Sequence, residues 1–194
     1  SIKIDKSATL KTQIFDKGKA KSKVFSFALN KINDSEWSNR LFPYSLKSKG
    51  KGKYSIKNEA LQNGVEVFSD RKFTFSDVPA ELSGSTIIQT ANNDKSLKSS
   101  ELINFSINIP AEVYIAFDKR NTAPEWLSSK FTKTTLSVKL SDNKEFSLYK
   151  AEFPAGKISL GGNEGNNQTS MYQVFLKKVS KGSVNESKVK ALVS

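Results

Sequence analysis

The chain has 194 residues, enough for one domain with a sizeable core, and carries 31 Lys and Arg against 19 Asp and Glu, a formal net charge of +12. It has no cysteine and no histidine, which removes disulfides, thiolate chemistry, the usual zinc ligands and the Ser/His and Cys/His nucleophile pairs. No apolar run approaches the roughly 20 residues of a membrane-spanning helix, and the charge favours an anionic partner.

The charge is uneven: residues 1 to 64 hold 14 basic and 5 acidic side chains, residues 65 to 194 hold 17 and 14. Within the first part, short alternating patches at Ile2 to Ile4 and Leu10 to Phe15 read as strands. They lead into Lys17, Lys19, Lys21 and Lys23, a comb with lysine at every second position. On an extended backbone those ammonium groups would share one side. Lys47, Lys49, Lys51 and Lys53 repeat the pattern. Both combs suit a polyanion with recurring charges; as plain structure, they are solvated turns or edges protected from aggregation by lysine. Between them Val24 to Leu29 reads as a strand, and Trp37 with Arg40 offers a flat ring and a guanidinium, a pair able to stack on and hydrogen-bond an acidic sugar. Tyr54 to Lys57 and Val65 to Phe68 read as strands about an Asn63-Gly64 turn, the strongest short hairpin signal in the chain.

From Asp70 onward, strand signals recur at short intervals: Asp70 to Phe75, Gly84 to Thr90, Leu102 to Ile109 and Val113 to Phe117, the last two expected to pair across Pro110-Ala111. Ala91-Asn-Asn-Asp-Lys95 has calcium-type oxygens without the spacing of a known calcium loop, so it reads first as an Asx turn; no metal or cofactor is otherwise indicated. Val113 to Leu127 organises the chain: a core strand breaks at Asp118 into a charged turn bearing Lys119 and Arg120, then Pro124 and Trp126. Loops at the ends of rigid strands often carry recognition groups; the alternative is that Trp126 and Leu127 cover the sandwich edge and Arg120 pairs with Asp118. Thr135 to Leu140 and Glu145 to Tyr149 flank a four-residue hairpin loop. Phe153 to Asn163 reads as a turn, a strand and a glycine turn, Met171 to Leu176 as a closing strand, and residues 180–194 as a tail or linker.

With no convincing amphipathic helix, the expected fold is all-β, an antiparallel β-sandwich or jelly roll, as a single domain over residues 1–179, its basic part being 1–64. Asp70-Arg71, Val78 to Leu82 with Gly84, Ile88 to Lys95, Val113 to Arg120, Pro124 to Leu127, Phe153 to Asn163 and Ser170 to Tyr172 follow one another as in a β-sandwich accessory module. Over residues 65–178 the chain resembles the modules attached to bacterial pectate, rhamnogalacturonan and ulvan lyases. That resemblance implies a secreted, non-catalytic carbohydrate-binding module that targets an attached lyase to an acidic polysaccharide such as ulvan or pectin. The expected contacts are Arg71, Lys72, Lys119, Arg120 and Trp126, with Trp37 and Tyr172 as further aromatic platforms and the combs as an electrostatic surface. Two alternatives stand beside it. A small jelly-roll lyase would draw a base for β-elimination from Tyr114, Tyr149 or Tyr172, and a non-specific polyanion binder would need only the charge. Specific nucleic-acid recognition is not expected, because aromatic and basic residues are not interleaved.

Overall fold

The computed structural model describes residues 8–13, 15–17, 19–20, 22, 24–29 and 38–179. Trp37, Lys21, Lys23 and the expected tail at 180–194 therefore lie outside the described residues. The chain divides into two compact units, Ser1–Asn39 and Arg40–Ser194.

In the first unit, β1 (Ala8–Thr12) pairs antiparallel with β4 (Phe25–Leu29), from Ala8 opposite Leu29 to Thr12 opposite Phe25. Between them lies a small hairpin of β2 (Phe15–Asp16) and β3 (Lys19–Ala20). Lys17 sits in its turn with φ at +48°. Lys17 and Lys19 are exposed, and Gln13 Nε2 ties the arms by donating to Ser22 O at 2.9 Å.

The second unit is an antiparallel sandwich. Its strands are β5 (Pro43–Ser48), β6 (Ser55–Lys57), β7 (Phe75–Asp77), β8 (Thr86–Gln89), β9 (Ile103–Ile107), β10 (Ala111–Asp118), β11 (Thr132–Leu140), β12 (Glu145–Phe153), β13 (Gly156–Leu160) and β14 (Gln173–Lys178). One sheet has seven strands in the order β6-β8-β14-β10-β12-β11-β7; the other has three, β13-β9-β5. The expected all-β fold is the one observed, and a short helix, α1 (Glu125–Lys130), lies between β10 and β11.

The organising stretch supplies the central strand. All eight residues of β10 are buried, and it is paired along its length with β12 on one side and β14 on the other. Burial on both faces suits the run Val113-Tyr-Ile-Ala-Phe117, where each large apolar side chain adds about 1.5–3 kcal/mol. In the short sheet, β9 alternates, with Ile103, Phe105 and Ile107 buried and Asn104 and Ser106 half-buried. Period-two alternation of this kind turns one face to the core and the other outward.

Two expected pairings give way to longer-range ones. Ile103–Ile107 and Ala111–Asp118 do not pair; Pro110 lies where the chain crosses from one sheet to the other. Nor do Tyr54 to Lys57 and Val65 to Phe68 form a hairpin. β6 pairs with β8, while Gly64, with φ at +87°, turns the chain so that its N–H reaches Phe75 O at 2.8 Å. The turn chemistry at Asn63-Gly64 is real, but the partner it delivers is the Thr74-Phe75 segment.

Candidate functional site

Of the residues singled out in the 70–172 region, Arg120 with Asp118, Trp126 and Tyr172 meet at the loop Gly161 to Tyr172. There they are hydrogen-bonded into the frame. Asp118, whose side chain is wholly buried at the end of β10, accepts from Arg120 N at 3.0 Å, Arg120 Nε at 2.9 Å, Arg120 Nη2 at 2.5 Å and Ser170 N at 2.8 Å. Burial alone would push its carboxyl up; the bonds from Arg120 and Ser170 outweigh that and hold it below the usual carboxylate range. Arg120 is thus committed to Asp118, although its side chain stays partly exposed.

Asn163 is a second hub. Its Oδ1 accepts from Tyr172 N at 3.0 Å, its Nδ2 donates to Lys95 O at 2.9 Å, and its carbonyl accepts from Asn121 Nδ2 at 3.1 Å. Half-buried Trp126, on α1, donates Nε1 to Gly162 O at 2.8 Å and packs on Tyr172 with ring centroids 5.6 Å apart. A Cβ at Gly161 would stand 2.4 Å from the Trp126 ring, so the close approach requires glycine. Tyr172, expected as a platform, is fully buried and donates its hydroxyl to Gly161 O at 2.8 Å; its ring has no face left for a ligand.

Arg71 donates to Asp70 O at 2.7 Å and to Asn93 Oδ1 at 2.6 Å, and Lys72 pairs with Glu66 at 3.1 Å in the open. The oxygen-rich loop at Ala91–Lys95 meets protein donors. Asp70 accepts from Asn92 N and Asn93 N, and Asn92 Oδ1 accepts from Met171 N at 3.0 Å. Lys119 pairs with Glu145 at 2.5 Å and lines a cavity of about 300 Å³ with Asn121, Lys133, Ser147 and Tyr149. Of the other tyrosines weighed as a base, Tyr114 donates to Glu112 at 3.1 Å. Burial and that carboxylate push its phenol well above its ordinary range.

A larger cavity, about 490 Å³, opens on the outer face of the short sheet. It is lined by Ser45, Lys47, Ser48, Lys49, Asn104, Phe105, Ser106 and Lys157, so three lysines meet there from β5, the bend after it and β13. Register explains the meeting. Lys47 lies opposite Asn104, which lies opposite Ser159; in the next row Tyr44 lies opposite Ser106 and Ser106 opposite Lys157. A bulge between Tyr44 and Lys47, with Ser45 at φ +54°, lets both rows face outward on β5. Lys47 and Lys157 have no ion-pair partner among the described residues; Lys49 stands 3.9 Å from Glu101, both well exposed.

The second comb is therefore a shaped segment. Strand β5 ends at Ser48, and the following bend wraps the nearly buried Asp94. The Asp94 carboxylate accepts from Lys51 N at 3.1 Å, Gly52 N at 3.0 Å and Tyr54 OH at 3.0 Å. A Cβ at Gly52 would come within 2.0 Å of Ala91 Cβ, so glycine here brings the loop close rather than making it flexible. Lys49 N reaches Leu102 O at 2.9 Å, which holds the bend against β9. Sequence reasoning found Lys47 and Lys49 but missed Asn104, Ser106, Lys157 and Ser159. The signal was present in the alternating Ile103-Asn-Phe-Ser-Ile107 and Lys157-Ile-Ser-Leu160; which faces adjoin was not.

No protein-family model matches the chain, and no curated protein is similar to it in sequence. Among solved structures, a β-glucuronidase from glycoside hydrolase family 2 superposes with a TM-score of 0.67 at 17% identity. The match covers 90% of this chain and 21% of the enzyme, so the chain spans about a fifth of that protein's length. A GH138 enzyme targeting pectin rhamnogalacturonan II gives a TM-score of 0.49 at 14% identity over 70% of this chain and 16% of that one. The β-glucuronidase likeness is one of fold.

Proposed function

We propose that the sandwich is a non-catalytic carbohydrate-binding module for an acidic polysaccharide, working outside the cell beside a catalytic domain that acts on the same polymer. The observation that carries this reading is the outward face of the short sheet, where Lys47, Lys49 and Lys157 surround a cavity floored by Asn104 and Ser106. Ammonium groups on flexible stems meet carboxylates or sulfates spaced along a chain, and small polar residues between them leave room for a sugar ring. The exposed aromatic Tyr44, in the row of Ser106 and Lys157, extends this face, whereas Lys119 lines the smaller cavity and Arg120, Trp126 and Tyr172 hold the frame. The fold likeness to a fifth of a β-glucuronidase agrees with a part that serves a larger carbohydrate-active protein, and tethering of this kind raises the substrate concentration seen by the linked enzyme.

The test is native affinity electrophoresis through gels containing polygalacturonate, ulvan, alginate, heparin or a neutral glucan, at physiological salt. Retardation by an acidic polymer, weakened about tenfold by Lys47→Ala or Lys157→Ala, is expected, each loss corresponding to about 1.4 kcal/mol. Equal retardation by all polyanions that salt abolishes would sink the reading. A second reading, a small lyase, rests on the smaller cavity, where Tyr149 and Lys133 stand among its lining residues. Ultraviolet absorbance from unsaturated uronides released by the purified chain decides it.

A further inference from the structure

We infer that Asn104 is the sugar-reading group of the lysine-lined cavity: its side-chain amide, turned so that Oδ1 faces the cavity, accepts from a sugar hydroxyl, so the site selects hydroxyl-bearing acidic sugars over polyanions at large. This rests on the binding-module reading and adds a determinant to it. Among the described residues, only two enclosed side-chain polar atoms lack a hydrogen-bond partner, Asn104 Oδ1 and Ser159 Oγ. They belong to residues directly opposite each other on β9 and β13, in the row that continues to Lys47. Everywhere else the sandwich satisfies its enclosed side chains, down to the Gln173, Thr90 and Asn163 bonds within the core. Both exceptions therefore fall in one cross-strand pair, and one of its members lines the cavity.

An enclosed acceptor without a donor costs stability, and such a group calls for an explanation. A ligand supplies one once the amide has turned, because Oδ1 as placed has no accessible surface. The Asn104 amide has an acceptor and two donors, and its last torsion is soft and roughly two-fold, so a turn about it exchanges the edges that face the cavity. A sugar hydroxyl can donate to Oδ1 once it is turned to the cavity. Phosphate, sulfate and carboxylate oxygens only accept, so they can satisfy the lysines but leave Oδ1 unpaired. The lysines thus supply attraction to charge, and Asn104 supplies the discrimination.

Polyacrylate, a carboxylate polymer without hydroxyls, is the matched probe. The full chain and its Asn104→Ala variant are run through gels containing polygalacturonate, ulvan, alginate or polyacrylate at equal charge concentration and physiological salt, with Lys47→Ala alongside. The wild type is expected to bind at least one acidic sugar polymer about tenfold more tightly than polyacrylate. Asn104→Ala should erase that preference while leaving polyacrylate binding unchanged, whereas Lys47→Ala weakens both. Because the substitution removes an unpaired polar group, its thermal midpoint should equal or exceed the wild type's, which separates lost recognition from lost fold. Retained preference in Asn104→Ala overturns the assignment and leaves the module reading standing. No preference in the wild type overturns the assignment too, and no binding of any acidic sugar by the wild type removes both.

Discussion

At the scale of single residues, Asp118 and Asn104 show two opposite uses of a polar side chain. Asp118 is wholly buried and fully paired. Because its folded carboxyl titrates below the unfolded one, the stability it contributes is complete above the unfolded value, near 4, and is lost as pH falls through the depressed folded value. Asp118→Asn should therefore lower stability at neutral pH by about 3 kcal/mol and flatten the acid limb of a denaturant-midpoint titration; an unchanged limb would exclude Asp118 as its source. Arg120→Ala leaves that carboxylate with only its two backbone donors. It should cost about 1–3 kcal/mol in chemical denaturation and leave polysaccharide retention of the folded protein unaltered. The sequence left Arg120 open as a contact or as a partner of Asp118, and the distances show the pairing.

The bend after β5 shows the same economy at the scale of an element. Lysines at alternate positions suggest an extended comb, but the glycines between them let the chain close on Asp94, which satisfies two backbone donors and the Tyr54 hydroxyl. Burial and the Asp94 charge push that phenol well above its ordinary range, so it remains a donor at any physiological pH. Asp94→Ala should release the bend, seen as lost amide protection at Lys51 and Gly52 in hydrogen exchange, and should weaken acidic-polymer binding by displacing Lys49. If protection at those amides survives, Asp94 is not what shapes the loop. Strand identities here were legible from alternation: β9, β10, β11 with β12, and β14 lie where the pattern places them. The hairpin about Asn63-Gly64 was misread because turn chemistry specifies a reversal locally, while the strand it meets is chosen by distant packing.

For the molecule as a whole, the basic residues of the first third belong to two units. The segment from Arg40 to Gly64 is part of the sandwich and supplies Lys47 and Lys49 to the cavity; residues up to Asn39 form the other unit. A fragment of residues 40–179 should fold with a cooperative thermal transition and retain selective binding at physiological salt. What it should lose is part of the low-salt attraction to any polyanion, since that component follows total charge. A fragment that fails to fold would show that the sandwich needs the preceding residues. The all-β class, the central strand at Val113 to Phe117, the absence of thiol and imidazole chemistry, and the cationic character can all be read from the residues in order. Each of these is a property of composition or of period-two spacing along a few consecutive residues. Which polar groups are left for a ligand is set by long-range packing. Asp118 with Ser170 and Trp126 with Gly162 are joined across 52 and 36 positions of sequence, and the row Lys47, Asn104, Ser159 spans three strands. Whether a charge is spent on the frame or left for a ligand depends on these distant neighbours, and no local pattern encodes them.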